Sequence, residues 1–384
     1  MKILFDYQAF YLQKFGGISN AFTQLLKNMP ADVECELSLV ESDNVHLRDS
    51  GVKSVPPMTG ILDDFIVRRN FKGKKQIYNL YSKIFPSQTA LGRNRLCSIN
   101  ALKRGDFDIF HPTFFDGYFL PFLNGKPFVL HVYDMISEKF FKANDMQTVE
   151  KRRQVALAAH IIAISEKTKE DIIELLHVPE DKVSVAYLAA TDILLDINSE
   201  SLIDGKYILF VGNRDSYKNF MPMMRELMPV LIRHPDLKIV CTGPLFTQNE
   251  ITFFKKNKLE DRLIHFRPSD IELRNLYYHA VCFVFPSLYE GFGIPILEAW
   301  QAQCPTLLNN KSCFPEIAQD AGVYFNLDEN GSDLENVMED FLSMSNEGRR
   351  EIIEKQNKRL TDFSWKKSAD KLVEIYRNIL QKEI

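Results

Sequence analysis

Two glutamates eight positions apart, Glu290 and Glu298, bracket a glycine-containing loop in the stretch VCFVFPSLYEGFGIPILEAW, from Val281 to Trp300. An apolar run ends at Pro286, Gly291 and Gly293 follow, and Pro295 suits the first turn of a helix. Such a junction binds anions: the helix start offers unpaired amides and partial positive charge, and glycine lets the backbone approach a phosphate. A carboxylate there would repel a phosphate unless it points past it to neutral hydroxyls, which a carboxylate binds through two acceptor oxygens. Taken alone, the pair reads equally as a first-turn acid favoured by the helix dipole and a solvated loop residue. The neighbouring segments decide for hydroxyl binding.

Upstream, YILFVGNRDSYKNF repeats the strand, loop and helix order, with Gly212 to turn the chain and Arg214 and Lys218 just beyond the strand. Cations at the carboxyl end of a strand are placed to meet a diphosphate and to offset charge growing on a leaving group. FGGIS, Phe15 to Ser19, sets Gly16 and Gly17 before a helix, but it is not GxGxxG and lies well past the first strand, which disfavours a nicotinamide cofactor. His131, in FVLHVYDM, reads as a strand-end imidazole able to position a sugar hydroxyl or serve as acid or base, or as one that is merely hydrogen-bonded. The DFD at Asp106 to Asp108 precedes its strand, so it reads as a solvated turn rather than a metal site.

The elements that must position these residues follow an α/β pattern of short apolar runs alternating with helical periodicity. Strands are expected at 3–5, 109–111, 128–132, 161–164 and 183–186, and again at 207–211, 237–241, 263–266, 281–285, 306–308 and 323–325. Ser269 with Glu272 forms a capping box, and Ser165 precedes a helix towards Leu176. Phe22, Leu25, Leu26 and Met29 share one helical face after Gly17. The pattern turns polar between Ala186 and Gly205, which places a boundary near 190, with a second domain over 191–365. The segment after Trp365 is an amphipathic helix with Leu372, Ile375, Tyr376 and Ile379 available for burial.

A chain of 384 residues exceeds one core, and a net charge of -4 argues against a dedicated nucleic-acid binder. Six cysteines form no CxxC pair, so neither a disulfide framework nor a zinc site is expected. With Asp6 so near the start and no run of about 18 apolar residues, the expectation is a cytoplasmic protein. One region departs from the acidic total: Phe65 to Arg104 carries ten Lys or Arg and no Asp or Glu, interleaved with Phe71, Tyr78, Tyr81 and Phe85. That composition suits peripheral contact with an anionic membrane or a phosphorylated acceptor, or else a soluble face.

In order, FGGIS, HPTFF, HVYDM, IIAISEKTKED, YILFVGNRDSYKNF, FPSLYEGFGIPILEA and FPEIAQDAG resemble the family 4 retaining glycosyltransferases, and the resemblance spans nearly the whole chain. It implies a GT-B fold of two facing Rossmann-like domains with parallel sheets, residues 366–384 crossing back to an acceptor-binding domain over 1–190. It implies that Glu290 contacts the donor sugar, Glu298 the ribose, and Arg214 and Lys218 the diphosphate. Backbone from Gly291, Phe292, Gly293 and Ile294 would meet the phosphate and sugar, with Gly17 closing the site from the other domain. The substrate would be a GDP- or UDP-linked sugar and the acceptor a glycan or polyprenyl-diphosphate-linked oligosaccharide, without metal or other cofactor. HPTFF, HVYDM and YKNF look most like the bacterial surface-polysaccharide branch, some of whose members transfer mannose. Two departures stand out: Tyr133 precedes Asp134 where many members have histidine, leaving open whether Tyr133 or His131 takes that place, and Gln303 stands where glycine is common. A nucleotide-sugar epimerase and a non-catalytic sugar-nucleotide binder are the competing readings.

Overall fold

The computed structural model describes residues 1–62, 65, 71–141, 145–191, 200–214 and 216–382. Most of the polar boundary stretch, residues 192–199, lies outside them, as do Arg68 and Arg69 of the basic region. The chain forms two compact units: Met1–Ile164, Lys169–Ala186 and Trp365–Ile384 make the first, and Ser165–Thr168 and Tyr187–Ser364 the second.

In the first unit the strands are β1 (Lys2–Asp6), β2 (Glu34–Ser38), β3 (Ile109–His111), β4 (Val129–Val132), β5 (His160–Ala163) and β6 (Val183–Val185). All pair in parallel, in the orders β2-β1-β3 and β4-β5-β6, with a parallel bridge from Phe110 to Phe128 between the two groups. Apolar runs such as VLHV and HIIA form strands here because their successive residues are almost all buried, so no polar alternation is needed. The Gly17–Lys27 helix buries Phe22 and Leu25, Leu26 is half-buried, and Met29 lies just beyond its end. The Trp365–Lys382 helix buries Trp365, Leu372, Ile375, Tyr376 and Ile379 in this unit.

β2 was not expected from the sequence. Its residues ECELS alternate over only five positions, and as the edge strand it keeps Glu34 and Glu36 near solvent, held by Lys2 at 3.1 and 3.3 Å. The DFD acids sit at the amino end of the same sheet, where Asp106 takes Lys2 Nζ at 2.8 Å and Asp108 accepts the Lys2 amide at 2.7 Å.

The second unit has β7 (Tyr207–Phe210), β8 (Lys238–Cys241), β9 (Leu263–His265), β10 (Cys282–Phe285), β11 (Thr306–Asn309) and β12 (Val323–Phe325) in one parallel sheet, order β12-β11-β10-β7-β8-β9. A short hairpin, β13 (Leu327–Asp328) with β14 (Gly331–Ser332), follows and was not anticipated. From β7 the chain builds outwards one way through β8 and β9, then returns to lay β10, β11 and β12 on the other side. The reversal falls between β7 and β10, and in open α/β sheets the crevice outside the carboxyl ends at that point is where ligands bind.

Candidate functional site

The loops after β7 and β10 meet at this reversal. The Leu288 amide donates to the Tyr217 carbonyl at 2.8 Å, and Lys218 Nζ lies 2.6 Å from Glu290 Oε1, with both side chains mostly buried. Lys218 ends a short 3-10 turn, Ser216–Lys218, and Asn219 after it takes the left-handed conformation, φ 58°, before the Phe220–Glu226 helix. That turn aims the lysine along the carboxyl end of β10, over the Phe285 ring at 5.9 Å.

A third loop holds the main chain of Glu290. Ser312, after β11, accepts from the Glu290 amide at 3.1 Å and donates to its carbonyl at 2.8 Å, with Ser312 itself at φ 55°. Nothing in the residue types around Ser312 signalled this; only the backbone angle betrays a position shaped by its task. Buried Asn309 braces the same region, its Nδ2 donating to the carbonyls of Pro286 at 3.1 Å and Leu327 at 3.0 Å. Asn219 reaches the same Leu327 carbonyl at 2.9 Å.

Gly291 is buried, and its carbonyl accepts from Ser165 Oγ at 2.7 Å and Thr168 Oγ1 at 3.2 Å, both members of the second unit. Phe292 anchors the loop among Tyr187 and Phe363, ring centroids 6.1 and 5.7 Å away. Gly293, at φ 91°, caps the Ile294–Gln301 helix, and a Cβ there would lie 3.1 Å from Ile296 Cδ1 and 3.2 Å from Phe314 Cε1. Glycine is therefore required by angle and by space. The Ile294 amide is among the first-turn donors that the helix cannot pair internally.

Glu298, one turn into that helix, is partly buried with the Tyr277 hydroxyl 3.5 Å from Oε2. Burial, then the nearby charge of Asp270, pushes its carboxyl up to about 7, while Tyr277 and Arg274 pull the other way. A carboxylate so weakly served by protein donors is suited to accept hydroxyls from a ligand.

Arg214, expected with Lys218 at a diphosphate, is engaged by other partners than Lys218 is. Its guanidinium lies between the Phe220 and Phe246 rings, at 5.5 and 4.8 Å, with Nε on Glu250 at 2.7 Å. Nη1 donates to the Thr242 carbonyl at 3.3 Å, and Nη2 to those of Pro244 and Leu245 at 2.6 and 2.8 Å. Four of its five N–H groups are thus occupied by the loop after β8 and the helix that follows it, as a buried guanidinium requires. Glu250, which also closes a capping box with Thr247, was not foreseen as the partner. Gly212, at φ 113°, lies against Gly243, whose Cβ if present would be 2.3 Å from the Gly212 oxygen.

Two candidates lie in the first unit. Gly17 begins its helix, and a Cβ there would meet nothing within 4 Å. His131 is 3% exposed, stacked on Tyr133 with centroids 5.5 Å apart, and burial lowers its imidazole to about 3.

Residues 196–359 match the Glycosyl transferases group 1 family and residues 64–189 match Glycosyltransferase Family 4. The chain belongs to the group 1, family 4 glycosyltransferases. It is similar to O-antigen chain mannosyltransferase B of Escherichia coli, 25% identical over 236 residues, covering 56% of this chain and 60% of that one. A GDP-mannose:cellobiosyl-diphosphopolyprenol alpha-mannosyltransferase of Xanthomonas oryzae pv. oryzae is 29% identical over 122 residues, 31% of this chain and 32% of that protein. These alignments therefore span less than two thirds of the relatives' own lengths. Among solved structures, HepE of Anabaena in complex with UDP-glucose superposes with a TM-score of 0.69 at 15% identity, covering 98% of this chain and 100% of that one. The fold is GT-B, built of two Rossmann-like units. The Gln303 position, where glycine is common in the family, does adopt φ 55°.

Proposed function

We propose that the protein is a retaining hexosyltransferase that moves a sugar, with mannose from GDP-mannose the first donor to test, onto a glycan or polyprenyl-diphosphate-linked oligosaccharide of a bacterial surface polysaccharide. The observation that carries this reading is the Lys218–Glu290 contact at the reversal between β7 and β10. It sets a cation and a hydroxyl-binding acid beside a helix start with free amides. The names of the O-antigen and diphosphopolyprenol mannosyltransferases support the donor and acceptor classes.

In this reading Lys218 and the amides at Gly293 and Ile294 take the diphosphate, Glu290 the transferred sugar and Glu298 the ribose. Arg214 contributes through the loop it braces, and His131 engages a substrate oxygen. The bond from the anomeric carbon to the diphosphate oxygen breaks, the acceptor oxygen attacks on the same face, and its proton passes to the leaving phosphate. No metal is assigned a part, since Lys218 and the amides counter the leaving charge. The test is nucleotide release that needs donor and acceptor together, with the product's anomeric configuration read by NMR. Full transfer by Glu290→Ala or Lys218→Ala would overturn the assignment.

Peripheral membrane contact belongs to the same proposal. On the Lys74–Ile84 helix, Ile77, Leu80 and Ile84 are 47%, 59% and 58% exposed along one face, with Lys72, Lys75 and Lys83 exposed beside them. Other cations of the basic region are already engaged: Arg93 with Glu41, Arg104 with Glu36 and Arg95 with Asp116. An amphipathic helix of this kind lies in an interface, its cations drawn to anionic lipid. Co-sedimentation with anionic vesicles at low salt should weaken when Lys72, Lys75 and Lys83 become Gln, and unchanged binding rejects the contact. Among the described residues no helix is long and apolar enough to cross a membrane.

A further inference from the structure

His131 belongs to a row of near-parallel rings in the first unit, in which the two imidazoles meet edge to edge. Phe5, His111, His131 and Tyr133 follow one another at centroid distances of 5.2, 4.9 and 5.5 Å, with interplanar angles of 25°, 10° and 23°. Phe22 lies edge-on to the row, 5.4 Å from His111 and 5.6 Å from His131. A chain of hydrogen bonds crosses the same rings. The Tyr376 hydroxyl, from the Trp365–Lys382 helix, is 2.5 Å from His111 Nδ1, and His111 Nε2 is 2.9 Å from His131 Nδ1. Tyr376 and His111 are wholly buried and His131 nearly so.

A neutral imidazole has one N–H and one lone pair, so a single proton lies between the two histidines and its side sets both tautomers. Burial keeps both rings neutral, and His131 further disfavours a charge on His111. The titratable groups around the chain are Tyr133, itself buried, and Cys35 near Tyr376. Two arrangements satisfy the distances. If the Tyr376 hydroxyl accepts from His111, its own hydrogen is buried without an acceptor, since among the described residues it bonds only His111. If it donates, the one hydrogen left over sits instead on Nε2 of His131, which is 3% exposed and can meet water or a ligand, and folded proteins avoid leaving it on a wholly buried hydroxyl.

We infer that Tyr376 donates to His111 and thereby fixes His131 as its Nε2–H tautomer, making Tyr376 a positioning residue for an imidazole that acts as a hydrogen-bond donor and not as a base. His131 Nδ1 is held by His111, while Nε2 has no partner among the described residues and is left to donate to a substrate oxygen such as a sugar hydroxyl. This role rests on the substrate contact proposed for His131 above.

Long-range proton–nitrogen NMR of the full chain with nitrogen-15-labelled histidine reads the tautomer directly. His111→Gln and His131→Gln assign the signals. His111 and His131 are expected as Nε2–H forms throughout about pH 5.5 to 8. In Tyr376→Phe the donor is gone and both rings should move towards a mixture. At equal populations the competent fraction halves, so kcat/KM falls about twofold with no new limb in its pH profile. A wild-type His131 with its proton on Nδ1 overturns the inference, and so does a Tyr376→Phe spectrum identical to wild type. Should that variant fail to fold, the wild-type spectrum alone decides. Full transfer by His131→Ala, with the expected wild-type tautomer, removes the positioning role and the substrate role of His131, while the hydrogen-bond chain itself stands.

Discussion

Nucleotide binding at Glu298 should carry a proton signature. The free carboxyl sits at about 7, raised from its ordinary 4.5 by burial and Asp270. An acid raised in the folded state stays protonated where the unfolded chain has ionised, so its burden on stability is absent below its ordinary value and complete above the raised one. Stability therefore falls as pH rises through that window, by roughly 3 kcal/mol at most. Ribose hydroxyls donate to the ionised form and relieve this burden, so affinity should rise with pH across the same window, by up to about 300-fold if binding restores the ordinary value. Near pH 6 about nine tenths of the free sites hold a proton and few bound ones do, so binding releases about 0.9 proton. Calorimetry with a sugar nucleotide, whose diphosphate has no proton to lose there, in two buffers of different ionisation enthalpy measures this. Glu298→Gln should bind more weakly and without pH dependence. A flat affinity from about pH 5 to 8, or a slope that survives Glu298→Gln, would refute the assignment of Glu298 to the ribose.

Lys218→Ala should lower kcat by about 10²- to 10³-fold, the loss expected for one group that meets transition-state charge, as single-turnover rates would show. Transfer should persist undiminished after exhaustive chelation, and loss restored by a divalent ion would contradict the charge assignment. Gln303→Gly should stabilise the protein by about 1 kcal/mol in urea unfolding, because Gln303 holds φ 55°. Gly243→Ala should cost about 2 kcal/mol or more and weaken donor binding, since its Cβ would come within 2.3 Å of the Gly212 oxygen at a left-handed backbone angle.

Strands of parallel sheets write themselves into the sequence as apolar runs, so β1, β3 to β6 and β7 to β12 were legible within a residue or two. β2 was hidden because an edge strand with two glutamates lacks that run. Within the site, the Gly293 turn and the helix at Ile294 could be read locally, as a glycine and a proline in the right order. The Lys218–Glu290 contact spans 72 positions and depends on the strand order, which no local pattern records. Arg214 shows the opposite hazard: nearness to Lys218 along the chain suggested one cationic pair, yet the 3-10 turn between them sends one to Glu290 and the other to Glu250. Ser312 left no mark, because a serine carrying two main-chain hydrogen bonds is written like any loop serine.

The Trp365–Lys382 helix also governs the order of events at the ribosome. Its Leu372, Ile375 and Tyr376 complete the interior of a unit whose six strands all precede Ala186. Domains of a growing chain ordinarily finish in the order in which they emerge. Here the earlier unit waits for residues made after the whole of the later one, with Phe22, His111 and the surrounding apolar floor lacking their lid meanwhile. A nascent chain halted anywhere before residue 376 carries an unfinished first unit however well the second has folded, and that long interval is when holding chaperones have the most to do.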